Sequence, residues 1–503
     1  MLGPDNYWDL RYYHLYNPWA YLHGRYLYDL GPAQEQGFLN PVADFLLYGL
    51  VSSPLNDFPR IVAFIMGAVH GINAALVFAI ACHVIRPTDE TERRTLRAVA
   101  FLIGVTGAGW ISLLGGSSND LTSALFVLAS FYVLLVLAER PFAAGTWRSF
   151  AFAGLWIGLG VGLKNTSAIY APGVGAVLLL VALRHRTVAG LLVFGLASAV
   201  GFFAVTAHHM LTLWEDFRNP FFPYLNQIFR SPWWEPIAIR DDRFIPATLW
   251  DLLAFPFYWV KVHTYVVVEK PFRDWRGAAA TIAVVVAVLA FAARRLRSAS
   301  PGDPPRTRGF GIVLIFVVVS YFAWALGFAY YRYVVPLEML SGVVIMGALL
   351  WLFDTSRLRL PIAVTILAVI TASTIPIDWG RRDYDGHYVS VEVPPIPPNA
   401  VVLVATWDPA AYFIPYAEPR AQYVSIENNY LQLSQNNILA NDVKAAMRAP
   451  GRPKIVLNVN EIDRGKWNDL LAQFDLKLSE EPCAPIRSNL EDQKLSLCKT
   501  MER

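Results

Sequence analysis

The sequence predicts an α-helical polytopic membrane protein, with about ten transmembrane helices and a small C-terminal extracytoplasmic α/β domain. Three observations carry this reading. Only 16% of the 503 residues are charged, against about 25% in an ordinary soluble domain. Long apolar runs fill the middle of the chain. Past residue 377 those runs stop, and short strand-like and helix-like segments alternate.

The first domain, residues 1–59, holds no run able to cross a bilayer. It is polar, aromatic and acidic. Asp5–Pro18 reads DNYWDLRYYHLYNP, and His23, Arg25, Asp29, Asn40 and Asp44 follow. We read it as an outer interfacial loop with short amphipathic helices, its tryptophans and tyrosines in the headgroup layer. No basic start followed by an apolar core opens the chain, so no cleavable signal peptide is read. An exported N-terminus then leaves two readings: the first apolar span inserts with its N-terminus outside, or, as preferred, a further helix precedes Met1.

Residues 60–377 form the membrane domain. Its apolar runs are Ile61–Ile85, Ala98–Leu114, Leu121–Ala138, Phe150–Leu163, Ala168–Leu183, Val188–Ala207, Gly277–Ala293, Phe310–Tyr330, Val334–Phe353 and Leu360–Ile375. Alternate loops are short and basic, carrying Arg86, Arg93, Arg94 and Arg97, then Arg140 and Arg148, Arg184 and Arg186, Arg294–Arg308, and Arg357 and Arg359. Such loops face the cytoplasm. Gly115–Asp120, Lys164–Ser167, the large loop 208–276 and Tyr331–Tyr333 then share the outer face with both termini. Leu249–Val268 contains Asp251, Pro256, Lys261 and His263. Counting it as a span would invert every later loop, so it is read as re-entrant or interfacial. Ser298–Arg308, with three prolines, reads as a flexible cytoplasmic loop.

Residues 378–503 are the C-terminal domain. Val401–Ala405, Tyr423–Ile426 and Ile455–Val459 read as buried strands, with helices at Asn441–Arg448 and Lys466–Phe474. Cys483 and Cys498 stand here. On the outer face they would pair as a disulfide; the alternative is two free thiols. The formal net charge of +3 is too small to indicate a nucleic-acid partner.

Chemistry-bearing residues collect on the outer face. The acidic loop WDLRYYHLYNPWAYLHGRYLYD with LNPVAD, the loops GGSSND and GLKNTSA, and the segments NPFFPYLN and YYRYVVPLE resemble the GT-C superfamily. These are integral-membrane glycosyltransferases that use polyprenyl-phosphate sugars. The resemblance covers most of the membrane region and rests on architecture and loop placement. It implies transfer of a sugar from a lipid-linked donor to an extracytoplasmic glycan or lipid acceptor, among membrane lipids. A polyprenyl-phosphate leaving group is stable as an anion. The chemistry therefore asks for one carboxylate to take the acceptor's proton and for cations to hold the phosphate. The resemblance puts the base in the first outer loop, at Asp9, with Asp5 next. Phosphate holders are Arg11, Arg332 and Lys164, with Arg25 and Lys270 behind them. His14, Asn17, Asp44, Asp120 and Glu338 are candidates for acceptor or sugar binding.

Plainer roles compete for several of these. Asp29 and Asp44 stand beside Pro32 and Pro41 as helix caps, and Asp120 caps its own helix. Lys164 can snorkel at a helix end. His208-His209 reads as an interfacial anchor, because no third metal ligand stands at a suitable spacing; the reading assigns no metal and leaves a divalent cation open. Alternative functions are a lipid-linked polysaccharide polymerase or ligase, or a transporter or flippase. The latter predicts inverted repeats and charges at mid-membrane; no repeat is legible, and His70 and Asn73 are among the few polar groups inside spans.

Overall fold

A computed structural model describes residues 3–141, 143, 145–297, 307–353, 355–428, 430–460, 463–490 and 494–503. Most of the expected proline-rich loop, residues 298–306, therefore lies outside the described residues. Each apolar run folds as a helix. These are Pro59–Val84, Glu90–Val105, Asp120–Ala138, Thr146–Leu163, Ala171–His185, Val188–Phe217, Arg276–Arg297, Phe310–Gly327, Val335–Leu352 and Ser356–Ser373. Among the described residues, 7 helices are long and apolar enough to cross a membrane by length and composition. One expected span is split. Ala98–Leu114 breaks at Thr106-Gly107, leaving a charged-ended helix of 16 residues and a short one, Ala108–Leu113. Leu249–Val268 contributes only the ten-residue helix Leu249–Tyr258, about 15 Å long and too short to cross.

Val335–Leu352 is the bundle's centre, with nearly all its side chains buried. Glycines set the closest approaches. Gly154, Gly158 and Gly162 recur every fourth residue along Thr146–Leu163 and face Val188–Phe217, whose Gly201 faces back. A Cβ at any of them would collide with the opposite helix. Gly104 and Gly342 do the same between Glu90–Val105 and Val335–Leu352.

The loops segregate to two ends. At one, the Arg308 backbone bonds Val84 O at 2.9 Å, its guanidinium meets Glu139 at 2.9 Å, and Arg359 pairs with Glu92. The other end gathers the first 59 residues, the Gly115–Asn119 loop, Lys164 and Arg332, and carries the C-terminal domain.

That domain is a seven-stranded sheet: β1 Val391–Glu392, β2 Val401–Val404, β3 Gln422–Ser425, β4 Lys454–Val459, β5 Leu476–Leu478, β6 Ala484–Ser488 and β7 Leu495–Glu502. The order is β1-β6-β7-β4-β2-β3, with β5 also on β7. β2 pairs in parallel with β3 and β4, while β7 is antiparallel to β4 and β6. Cys483 and Cys498 are joined in a disulfide.

The N-terminal segment is not an open surface loop. Leu10–His14 is wholly buried, and Tyr16 and Trp19 are buried beyond it. Trp8 and Tyr28 are among the few rings left exposed. The segment lies between bundle and sheet. Leu30 accepts from Ser425 N and donates to Tyr423 O, both at 2.9 Å, extending the sheet past β3. Large rings bury more apolar area between two protein layers than at a headgroup boundary.

Candidate functional site

Four segments bring one charged group each to the same place. Asp9 precedes the short π-helical turn Leu10–His14. Asp120 opens Asp120–Ala138, where an acid is favoured by the helix dipole. Lys164 follows Thr146–Leu163, at the end that favours a cation. Arg332 sits on the turn Tyr331–Val334 that leads into the central helix.

They form a chain of alternating charge. Arg332 Nη1 is 2.6 Å from Asp9 Oδ2, and its Nε is 3.7 Å from Asp120 Oδ2. Lys164 Nζ is 2.6 Å from Asp120 Oδ1, so it turns inward rather than snorkelling. Ser118 donates to Asp120 at 2.5 Å, and the Tyr13 hydroxyl lies 3.4 Å from Asp9. Tyrosine rings hold the cations: Arg332 lies over Tyr330 and Tyr333, at 5.1 and 5.3 Å, and Lys164 over Tyr333 at 5.4 Å. A small cleft between Asp120, Ser123, Ser167, Tyr170, Arg332 and Tyr333 opens on this chain. Burial by itself would raise the Asp9 carboxyl. The charges of Arg332, His14 and Lys164, with the Arg332 hydrogen bond, outweigh it and hold Asp9 below the usual carboxylate range.

A second polar pair adjoins the first. His14 Nδ1 lies 2.5 Å from Asp44 Oδ1, and Asn119 Nδ2 donates to the same oxygen at 2.6 Å. Asp44 precedes the helix Phe45–Val51, but its side chain makes no cap bond there.

The remaining expected residues lie elsewhere. Asp5 accepts from the backbone N–H and hydroxyl of Ser117, fixing the loop ahead of Asp120. Arg11 is buried on the same turn as His14. Arg25 pairs with Asp29 at 2.7 Å and donates to Pro419 O and Ala421 O, docking the C-terminal domain. Asn17 bonds Gln36 O and Leu39 O. Lys270 is exposed in the large loop. Glu338 accepts from Gly109 N and Trp110 N, both at 2.9 Å, and so holds the start of Ala108–Leu113. His209 is buried, its Nε2 3.0 Å from Phe38 O, so it anchors protein rather than lipid.

Sequence reasoning passed over the support beneath Arg332. Tyr331 donates to Glu338 at 2.8 Å and lies 3.3 Å from Asp274, which is paired with the buried Arg276 at 3.0 Å. Pinned inward, Tyr331 turns its neighbour Arg332 toward Asp9. The signal was Asp274-Trp275-Arg276 at the mouth of an apolar helix, where opposite charges two residues apart can only enter as a pair. Among the described residues no three His, Cys, Asp or Glu side chains converge as a metal site.

No family model and no curated protein matches the chain. Among solved structures it is similar to the crystal structure of ArnT from Cupriavidus metallidurans bound to undecaprenyl phosphate. The TM-score is 0.50 at 11% identity, covering 99% of this chain and 94% of that one. The apo state of the same protein aligns over the same shares, with a TM-score of 0.41 and 13% identity. At such identity the first likeness shows the fold alone: a helical membrane bundle carrying a strand-containing C-terminal domain, as expected from the sequence.

Proposed function

We propose that this protein is a glycosyltransferase that moves a sugar from a polyprenyl-phosphate donor to a glycan or lipid acceptor. The reaction takes place on the extracytoplasmic face of the membrane. The carrying observation is the Asp9–Arg332–Asp120–Lys164 chain at one end of a membrane bundle. Two half-buried cations, already stacked on tyrosines, suit a departing lipid phosphate. A carboxylate beside them suits the proton of an attacking hydroxyl. At rest Arg332 neutralises Asp9. An arriving phosphate gives Arg332 and Lys164 another anion to bind, which loosens their hold on the carboxylates. Asp9 is then the base, and Arg332 and Lys164 are the phosphate holders. That the similar ArnT structure holds undecaprenyl phosphate supports the lipid carrier. The arginine loops at the opposite end support the outward placement of the site. A cavity of about 220 Å³ beside the central helix, among Leu253, Trp259, Val285, Val317 and Tyr321 with Arg276 and Glu338 also on its wall, has a mostly apolar lining that suits part of an isoprenoid chain.

The test is transfer of radiolabelled sugar from a panel of polyprenyl-phosphate-linked hexoses and pentoses by purified protein. Asp9→Asn should lower turnover by at least about 10²-fold with donor binding kept. Arg332→Gln should weaken donor binding as well. No turnover with any panel member, or normal turnover in Asp9→Asn, would overturn the reading.

A further inference from the structure

His14 and Asp44 are almost inaccessible, their side chains 1% and 2% exposed. The carboxylate forgoes the helix end it stands on and turns to the imidazole. A carboxylate at Nδ1 makes that nitrogen the protonated one and leaves the lone pair on Nε2. Nε2 is buried and has no hydrogen-bond partner among the described residues. Leaving a buried polar nitrogen unpaired is unfavourable, and where it occurs it points to a partner present only part of the time.

The local backbone brings His14 and Asp9 close in the fold. In a π turn the hydrogen bonds run from residue i to i+5, so Leu10–His14 brings His14 back over the residue that opens the turn, Asp9. Each of the two acts electrostatically on the other. Asp44 faces the imidazole from the Pro41–Asp44 turn, Asp9 from its own turn and Lys164 from the end of Thr146–Leu163. Asn119 holds Asp44, while its neighbours Ser118 and Asp120 belong to the charge chain, so one loop ties the dyad to the cleft.

We propose that the His14–Asp44 dyad is the proton relay of this site: His14 Nε2 takes over the proton that Asp9 removes from the acceptor hydroxyl. This rests on the function above. The acceptor oxygen bonds the sugar's anomeric carbon as its own O–H bond breaks. The bond from that carbon to the phosphate oxygen breaks, and its electron pair stays on the phosphate. The proton passes from the Asp9 carboxyl to the Nε2 lone pair and leaves to water before the next turnover. A relay is required because a proton kept on Asp9 would leave Arg332 without its resting partner. His14 meets no substrate in this scheme and acts through Asp9, which its burial allows. Burial works against the imidazolium, but Asp44 and Asp9 more than offset it, raising the affinity of His14 for the proton above the ordinary histidine value.

The test uses the full chain in nanodiscs, with the panel donor that supports turnover, and measures kcat and kcat/KM against pH. The wild type should lose kcat on the acid side as His14 protonates. His14→Gln should lower kcat by about 10²-fold and abolish that acid limb, with the donor KM unchanged. Asp44→Asn should keep the limb and move it to lower pH, because the imidazolium loses its anionic partner. An unaltered limb in His14→Gln overturns the relay, even where Asp9→Asn has lost turnover and the function stands. Normal turnover in Asp9→Asn overturns the function itself. If His14→Gln does not fold, Asp44→Asn decides alone: a limb that stays in place overturns the proposal.

Discussion

Arg332 is shared between two acids and stacked on two rings, and removing its charge exposes what it neutralises. With its folded pKa depressed, Asp9 contributes stability at pH values above its unfolded pKa, about 3.9. That stability is lost as pH falls through the lower folded value. Arg332→Gln leaves Asp9 buried and unpaired. It should lower stability by about 3 kcal/mol at neutral pH, with the deficit shrinking as acid neutralises Asp9. Thermal melts in detergent from neutral pH into the acid range measure this; a deficit independent of pH would refute it. Glu338 offers the contrast. Its carboxylate holds two backbone N–H groups and Tyr331, away from the cleft. Glu338→Gln should cost about 2 kcal/mol of stability and, by loosening Tyr331 beneath Arg332, weaken the affinity of the folded protein for undecaprenyl phosphate less than Arg332→Gln does, as read by titration with that lipid.

At the scale of elements, helix contact in lipid depends on close backbone approach rather than on hydrophobic burial. Gly158 lies against the Ser198 carbonyl, and neither backbone can yield without moving its helix. Gly158→Ala should destabilise the bundle by about 1–3 kcal/mol, whereas Gly175→Ala, with open space at its Cβ, should not. Unfolding of both variants in mixed micelles gives the comparison. In the C-terminal domain the Cys483–Cys498 bridge closes a short loop, 15 residues in separation. Cys498→Ser should cost that domain about 3 kcal/mol, seen as faster proteolysis of residues 378–503 without loss of the membrane-embedded fragment.

For the whole molecule, the two-ended arrangement of loops makes a topological prediction. A membrane-impermeant maleimide applied to intact cells should label cysteine placed at Trp407, 64% exposed in the C-terminal domain, and fail at Arg94, which is exposed in the first turns of Glu90–Val105 at the opposite end. The reverse pattern would invert the protein. Helices, strands of the parallel core and the segregation of the loops to two ends were legible in the sequence because each depends on local periodicity, run length or charge composition. Residue types at the site were legible too: Asp9, Asp120, Lys164 and Arg332 stood out as charges beside apolar runs. Their grouping was not. Asp5, Arg25, Asn17 and Glu338 carry the same chemistry on the same face, yet they bond backbone, dock the C-terminal domain or hold a helix start. A polar side chain's partner is set by which distant segments meet, here residues 9, 120, 164 and 332, and no local pattern encodes that meeting. The aromatic N-terminal segment shows the same limit. Its composition suits a membrane surface and a buried layer equally well, and only the packing of sheet against bundle put it inside. The short strands β1, β5 and β6 likewise owe their form to the neighbours they pair with. The sequence by itself thus determined which residues enter the membrane and which chemistry is available, since transfer free energy and helix period act along the chain. Tertiary structure alone decided which charges neutralise one another, since that depends on distance in space.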